Sequence, residues 1–206
     1  MYKVFFNQKP LILTNEIQEF SDTEPFIFIK YSSARQILKA LKSTKNSKVY
    51  LYHKNIDKLW KTFLKQFPIV EAAGGLVERT DNKFLFIFRN DKWDLPKGGV
   101  EKNELIIEAA KREVMEETGV GDLIVQNQLS ETYHIFKKGK RYRLKKTYWF
   151  KMSTNYMGQL QPQIEEGISK TEWISKAGIE SFLDDAFENI RIIVFEVLDR
   201  ESLGNE

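Results

Sequence analysis

Between residues 104 and 118 the chain carries an apolar stripe that runs into three glutamates, and no other feature limits its fold as sharply. Ile106, Ala109 and Ala110 recur at helical spacing, and Glu113, Glu116 and Glu117, three and four residues apart, continue the same face. The spacing predicts a helix over 104–118, closed by Gly119 at the usual position just past its end. A stripe of this kind should be packed, so its carboxylates are partly desolvated, repel one another and need a cation. The chain has no cysteine, and its two histidines, His53 and His134, lie far apart. Oxygen ligands alone select a hard divalent ion, Mg2+ or Mn2+. Mg2+ held by a few carboxylates commonly completes its sphere with substrate phosphate oxygens, which points to phosphoryl chemistry. For three glutamates taken alone, a solvated acidic helix is the plain alternative.

The surroundings of this helix read as mixed α/β. Strands are expected over 70–78, 84–88, 123–126, 130–136, 142–152 and 172–174, and residues 180–201 read as mostly helical. Ahead of residue 68 the pattern is a hairpin of strands 2–7 and 11–14 around a turn at 8–10. A strand over 25–30, a helix over 33–41, a strand over 49–52 and an amphipathic helix over 57–67 follow, the last ended by Pro68. Charge changes at the same place. Residues 1–70 hold 12 Lys/Arg against 5 Asp/Glu, a balance of +7, and the remainder holds 20 against 24, a balance of −4. Such asymmetry is a reason to look for an anionic partner. Residues 1–68 are therefore expected to form a small α/β domain of unknown role, and residues 69–206 the domain with the acidic helix. No segment has the apolar length to span a bilayer and the N-terminus lacks the pattern of a secretory signal, so the expectation is a cytoplasmic chain without a membrane partner.

The wider pattern around the glutamates is Gly98, five residues, Glu104, seven residues, Arg112-Glu113-Val114-Met115-Glu116-Glu117-Thr118-Gly119-Val120. It resembles the complete Nudix box: seven fixed residues and two aliphatic positions match with no departure. By chance such a match arises on the order of once in ten million chains of this size. The resemblance extends over roughly 69–176 and leaves out residues 1–68. It implies an α/β/α sandwich around a mixed sheet, with the box forming a loop–helix–loop, and hydrolysis of a phosphoanhydride bond. Carried over by position, Glu113, Glu116 and Glu117 are the expected metal ligands, with Glu113 also the candidate general base. Arg112 and Glu104 are the expected pair that ties helix to loop, and Gly98 permits the tight loop. The carbonyl of Lys97 would approach the metal. Its flank, Pro96-Lys97-Gly98, is similar to that of members that take dinucleoside polyphosphates or other highly phosphorylated substrates. Glu165 and Glu166 stand near where some members supply another carboxylate, so Glu166 is a further metal candidate.

Cations are expected around such a site. Arg89, at the end of the strand over 84–88, and Lys97 are candidate phosphate contacts. Residues 137–146 hold seven Lys/Arg in ten, with Tyr133, His134, Tyr142, Tyr148 and Trp149 close by. Lys137, Arg141 and Tyr133 are therefore candidate contacts to a polyphosphate and a stacked base, against the plain reading of a soluble hairpin tip. The favoured partner is a small-molecule nucleotide or polyphosphate. The alternatives are an RNA 5′-end pyrophosphohydrolase and a nucleotide sensor without catalysis. For residues 1–68 the options are a homodimer contact, a cap over the active site or nucleic-acid binding.

Overall fold

A computed structural model describes residues 1–17 and 21–203. In chain order its main elements are β1 (Tyr2–Phe6), β2 (Lys9–Thr14), β3 (Phe26–Phe28), α1 (Ala34–Lys42), β4 (Val49–Tyr52), α2 (Ile56–Gln66), β5 (Ile69–Arg79), β6 (Lys83–Arg89), β7 (Lys92–Asp94), β8 (Lys97–Gly99), α3 (Ile106–Thr118), β9 (Ile124–Gln128), β10 (Thr132–Lys138), β11 (Arg141–Thr154), β12 (Ile168–Ser175), α4 (Ile179–Leu183) and α5 (Glu188–Leu203). No helix among the described residues is long and apolar enough to cross a membrane.

The chain forms two compact units that do not divide at a single point. The first comprises Met1–Val70 together with Thr132–Lys146, and the second Glu71–Glu131 with Thr147–Glu206. The basic hairpin of β10 and the start of β11 thus belongs with the N-terminal segment, across the single boundary expected near residues 66–69. Charge and local pattern follow chain order, whereas strand pairing does not: β10 runs parallel to β1, with Val4 beside Tyr133 and Phe5 beside His134.

In the first unit the strand order is β10-β1-β2-β4-β3. β1 and β2 are antiparallel, and β4 pairs parallel with both β2 and β3, so the sheet is mixed. Its hairpin turn falls at Asn7 and Gln8, with Asn7 in the left-handed region at φ 54°, rather than at residues 8–10. Asparagine tolerates that conformation, so the turn closes early and Lys9 and Pro10 join the strand. Alternation sends Val4, Leu11, Leu13, Val49 and Leu51 to one face. There they pack on Ile37, Leu38 and Leu41 of α1 and on Leu59, Phe63 and Phe67 of α2. Ser33 and Gln36 form a reciprocal capping box that fixes where α1 starts.

The second unit is an α/β/α sandwich. β12 and β6 pair antiparallel, β6 with β5 likewise, and β5 neighbours the later part of β11. Short strands β7, β8 and β9 pair with β6, β5 and β11. On one face Leu76, Phe84, Phe86, Trp149 and Ile174 pack against Ile179 and Leu183 of α4 and Ile190, Ile193, Val194 and Val197 of α5. On the other, Ala73, Val77, Leu85, Phe150 and Met152 pack against Ala109, Ala110 and Val114 of α3. Residues 72–77 are buried without interruption, as a central strand covered on both faces requires. The C-terminal helical stretch is broken into α4 and α5, and β7 and β8 have no counterpart in the sequence reading. Three-residue strands are too short for alternation to reveal.

α3 begins at Ile106, two residues later than its sequence pattern. It ends at Gly119, whose φ of 75° is left-handed and whose N–H donates to the Met115 carbonyl at 2.8 Å. A β-carbon there would also stand 3.0 Å from the Gln161 side chain. Gly119→Ala should therefore cost about 1–2 kcal/mol and lower Tm by roughly 3–8 °C in thermal unfolding; an unchanged Tm would show that this helix end is not held as described.

Candidate active site

Every residue of the acidic constellation lies in the second unit, on α3, on β6 to β8 and on the turn before β12. β8 pairs antiparallel with β5, Gly98 beside Ala73, so the loop that follows it is delivered to the side of the sheet on which α3 packs. That loop is shaped by a turn in which Asn103 adopts φ 66° and the Glu104 N–H donates to the Glu101 carbonyl at 3.2 Å. The Glu104 carboxylate reciprocates by accepting the Glu101 N–H at 2.9 Å.

Arg112 is the hub. Its Nε and Nη2 donate to the two oxygens of Glu104 at 2.7 and 2.9 Å, a bidentate pair. Nη2 also donates to the Gly99 carbonyl at 2.9 Å, and Nη1 donates to Glu113 Oε1 at 2.7 Å and Glu116 Oε2 at 3.0 Å. All five N–H groups of the guanidinium are thus used, and a lysine could not replace them. The hydrogen bonds from Arg112 and from the Glu101 N–H hold Glu104 well below the ordinary carboxyl value of 4.5, at about 2. A depressed carboxyl stabilises the folded loop fully above its unfolded value, and this contribution fades as pH falls towards 2.

The three glutamates do not share one environment. The side chain of Glu117 is 2% exposed, that of Glu113 12% and that of Glu116 48%, so the apolar stripe takes in Glu117 and leaves Glu116 at the rim. Burial pushes Glu117 up to about 7, against the pull of the Lys97 charge and of the Lys97 N–H that donates to its Oε2 at 2.8 Å. Burial also raises Glu113; Arg112 works in the opposite direction, and the charges of Glu116 and Glu166 add to the rise. Glu166 is therefore electrostatically coupled to Glu113. It stands on a short 3-10 turn, Ile164–Glu166, with Glu165, and both are exposed. The approach of this turn is anchored on α3: the N–H of Gln161 donates to the Thr118 carbonyl at 2.8 Å and that of Gln163 to the Glu117 carbonyl at 3.2 Å. No sequence signal marks that docking.

Arg89, at the end of β6, brings Nη1 to 3.6 Å from Glu117 Oε1. Lys97, the other candidate phosphate contact, is engaged within the protein. Its ammonium points inward and donates to Asp94 Oδ2 at 2.6 Å and to the Leu95 carbonyl at 3.4 Å, and the residue is 9% exposed. A buried cation needs a buried partner, and Asp94 on β7 supplies it. Lys137, Arg141 and Tyr133 are not in this unit. Lys137 and Arg141 are exposed, whereas Tyr133 is half-buried and packs edge-on against Tyr2 and Trp60. The role of Gly98 also changes. Its φ is not left-handed, so no turn demands glycine there; a β-carbon at this position would overlap the Glu113 carboxyl.

Among the described residues no three His, Cys, Asp or Glu side chains close around one point as a metal cluster. The cation that gathers Glu113 and Glu116 is the Arg112 guanidinium, which takes one oxygen from each. The second oxygen of each is a carboxylate donor outside that pair of bonds, Glu117 adds a third carboxylate on the same helix, and the absent β-carbon of Gly98 leaves room around Glu113. That chemistry fits a hard divalent cation. If Arg112 fixes the carboxylates for such an ion, Arg112→Lys should lower metal-dependent turnover about 10–100-fold, and lower Tm by roughly 2–4 °C through the lost bidentate bond to Glu104. Retained turnover would make Arg112 a structural clamp only.

A family model for the NUDIX domain matches residues 68–194. Among solved structures, the chain is similar to a MutT protein from Methanosarcina mazei, with 23% identity over 66% of this chain and 97% of that one and a TM-score of 0.49. A C. elegans Ap4A hydrolase matches with 20% identity over 64% of this chain and 98% of that one, at a TM-score of 0.45. A bifunctional NMN adenylyltransferase/ADP ribose pyrophosphatase from Francisella tularensis, solved with AMP and a manganese ion, matches with 20% identity over 68% of this chain and 45% of that one, at a TM-score of 0.47.

Proposed function

The chain belongs to the Nudix family, and from that premise we propose that it is a Mg2+- or Mn2+-dependent pyrophosphohydrolase of a nucleoside diphosphate linked to a second group, or of a dinucleoside polyphosphate. The observation that carries this reading is the five-bond clamp of Arg112, which takes one oxygen each of Glu113 and Glu116, holds the two side chains together and ties them through Glu104 and Gly99 to the loop. A helix with a merely solvated acidic face has no use for such a device.

In this reading Glu113, Glu116 and Glu117 hold the cation, with Glu166 a further candidate from its turn. The bound ion supplies charge neutralisation for the diphosphate and for the phosphate that leaves. The reaction adds water across a P–O–P bridge: a new P–O bond forms, the bridging P–O bond breaks, and the proton released by the water is accepted by a carboxylate. Glu113 is the acceptor we assign, since Arg112 and the space at Gly98 fix its carboxyl in place. Arg89, which carries a cation to the edge of the acidic site, is assigned to a substrate phosphate. Lys97 acts indirectly, with its ammonium neutralising Asp94 and its N–H orienting Glu117.

The test is chromatographic separation of the two phosphorylated products from a nucleotide panel, with and without Mg2+ or Mn2+. The panel should hold dinucleoside polyphosphates, ADP-ribose, sugar nucleotides, NAD and nucleoside triphosphates, with Glu113→Gln run alongside. Metal-dependent turnover of one class, lost by about 100-fold or more in the variant, is the expected result. Tight nucleotide binding without turnover of any member would overturn the assignment in favour of a sensor.

A further inference from the structure

The two units differ in charge far more than the two ends of the sequence do. Met1–Val70 with Thr132–Lys146 holds 19 Lys/Arg against 5 Asp/Glu, a net charge of +14, while the rest holds 13 against 24, a net charge of −11. A unit of that sign attracts anions, and a polyanion most strongly.

The sheet of this unit also has two unlike faces. Both of its helices pack on the face that carries Val4, Leu11, Leu13, Val49, Leu51 and Ile135. Strand alternation puts Phe5, Ile12, Tyr50, Tyr52, Phe26 and Phe28 on the other, where pairing sets Ile12 beside Tyr50, Phe26 beside Tyr50 and Phe28 beside Tyr52. Phe5 and Ile12 are buried at its centre. Towards the β3 edge the rings of Phe26, Phe28, Tyr50 and Tyr52 form a contiguous group with centroids 5.2 to 6.4 Å apart. Three of them are half-buried and Phe28 is 50% exposed. Tyr142 and Leu144 face the helices, so Arg141, Arg143 and Lys145 fall on the aromatic face, as do Phe136 and Lys138 of β10. Flexible ammonium groups already lie over several rings here: Lys3 over Phe5 at 5.2 Å, Lys145 over Phe136 at 5.2 Å and Lys48 over Tyr50 at 5.4 Å.

Rings spaced along a strand edge, with cations on the same face, meet the two needs of a single-stranded polynucleotide: π-faces for bases and positive charge for phosphates. A duplex hides its bases from such rings, and a lipid surface wants a protruding apolar edge rather than rings seated in a sheet. We propose that this face binds single-stranded RNA, with Phe28 and Tyr52 as stacking residues and Lys3, Lys138 and Lys145 as phosphate contacts. The choice of RNA over DNA rests on the function proposed above, because an RNA 5′ end carries phosphoanhydrides, the bond class this chain hydrolyses. Binding by the face itself does not depend on that function.

Fluorescence anisotropy with the full-length protein and a labelled 12-mer of single-stranded RNA tests this. The expected results are micromolar binding at low salt, a fall of log affinity with log salt, and about tenfold weaker binding for Phe28→Ala and for Tyr52→Ala at an unchanged salt slope. Phe28→Trp and Tyr52→Phe should restore it, which separates stacking from folding. Lys3→Ala with Lys138→Ala should flatten the slope by about 1–2. Equal or tighter binding to duplex RNA or to vesicles of anionic phospholipid would overturn the proposal, as would full affinity in both alanine ring variants. Hydrolysis of the nucleotide panel by Phe28→Ala is read in parallel. Wild-type rates with lost RNA binding locate the effect on this face, and panel inactivity with intact, ring-dependent RNA binding would overturn the catalytic reading alone.

Discussion

Glu117→Gln should lower metal-dependent hydrolysis by about 1,000-fold or more while leaving the protein as stable as before, or slightly more so. The two effects have one cause. Glu117 is 2% exposed and burial pushes its carboxyl up to about 7, so in the folded chain the ionised form is disfavoured relative to the unfolded chain. At neutral pH that raised value destabilises the fold, and glutamine removes the strain. The amide oxygen can still accept the Lys97 N–H, which now bonds Glu117 Oε2 at 2.8 Å. Such a variant would bind a divalent cation poorly, since a neutral amide is a weaker ligand than a carboxylate. The measurements are initial rates at saturating metal and Tm with and without metal. Wild-type turnover would mean that Glu117 is a structural carboxyl and that Glu113, Glu116 and Glu166 suffice. A large fall in Tm would mean that its charge is needed for folding.

Gly98→Ala should be nearly as damaging, by about 100-fold, through a single methyl group. A β-carbon at this position overlaps the carboxyl of Glu113, so either that side chain leaves its place or the β8 loop moves away from α3. Both outcomes spoil the geometry that Arg112 maintains, and displacements near 1 Å are enough to cost two orders of magnitude. The neighbouring glycine is the control. A β-carbon on Gly99 meets nothing within 4 Å, so Gly99→Ala should keep most of the activity. If the two variants lose activity equally, flexibility of the loop matters and space for Glu113 does not. Steady-state rates of both variants beside wild type decide between them.

The sequence by itself determined the family, and with it the class of enzyme, and where the acidic helix lies. Helical spacing is local, so the phase of Glu113, Glu116 and Glu117 follows from counting, and Gly119 marks the end of α3 because left-handed backbone suits glycine. The box is a fixed string of residue types, and a string is readable in one dimension. Most strands of the second unit were legible for the same reason, since period-2 alternation is a neighbour effect.

What only the tertiary structure decided is who meets whom across long stretches of chain. Counting cannot say that the stripe buries Glu117 and leaves Glu116 at the rim, because depth depends on where β8 and the segment at residues 161–163 dock. Nor can it say that Lys97 turns inward to Asp94, since a lysine beside a phosphate site reads as a substrate contact until its buried partner is seen. The basic hairpin is the largest case. Residues 132–146 look like an extension of the catalytic domain by chain order, yet β10 adds to the edge of β1 and joins the N-terminal unit. Strand pairing is set by hydrogen-bonding edges and apolar faces that come together from distant parts of the chain, and the sum of those non-local contacts is carried by no short segment of it.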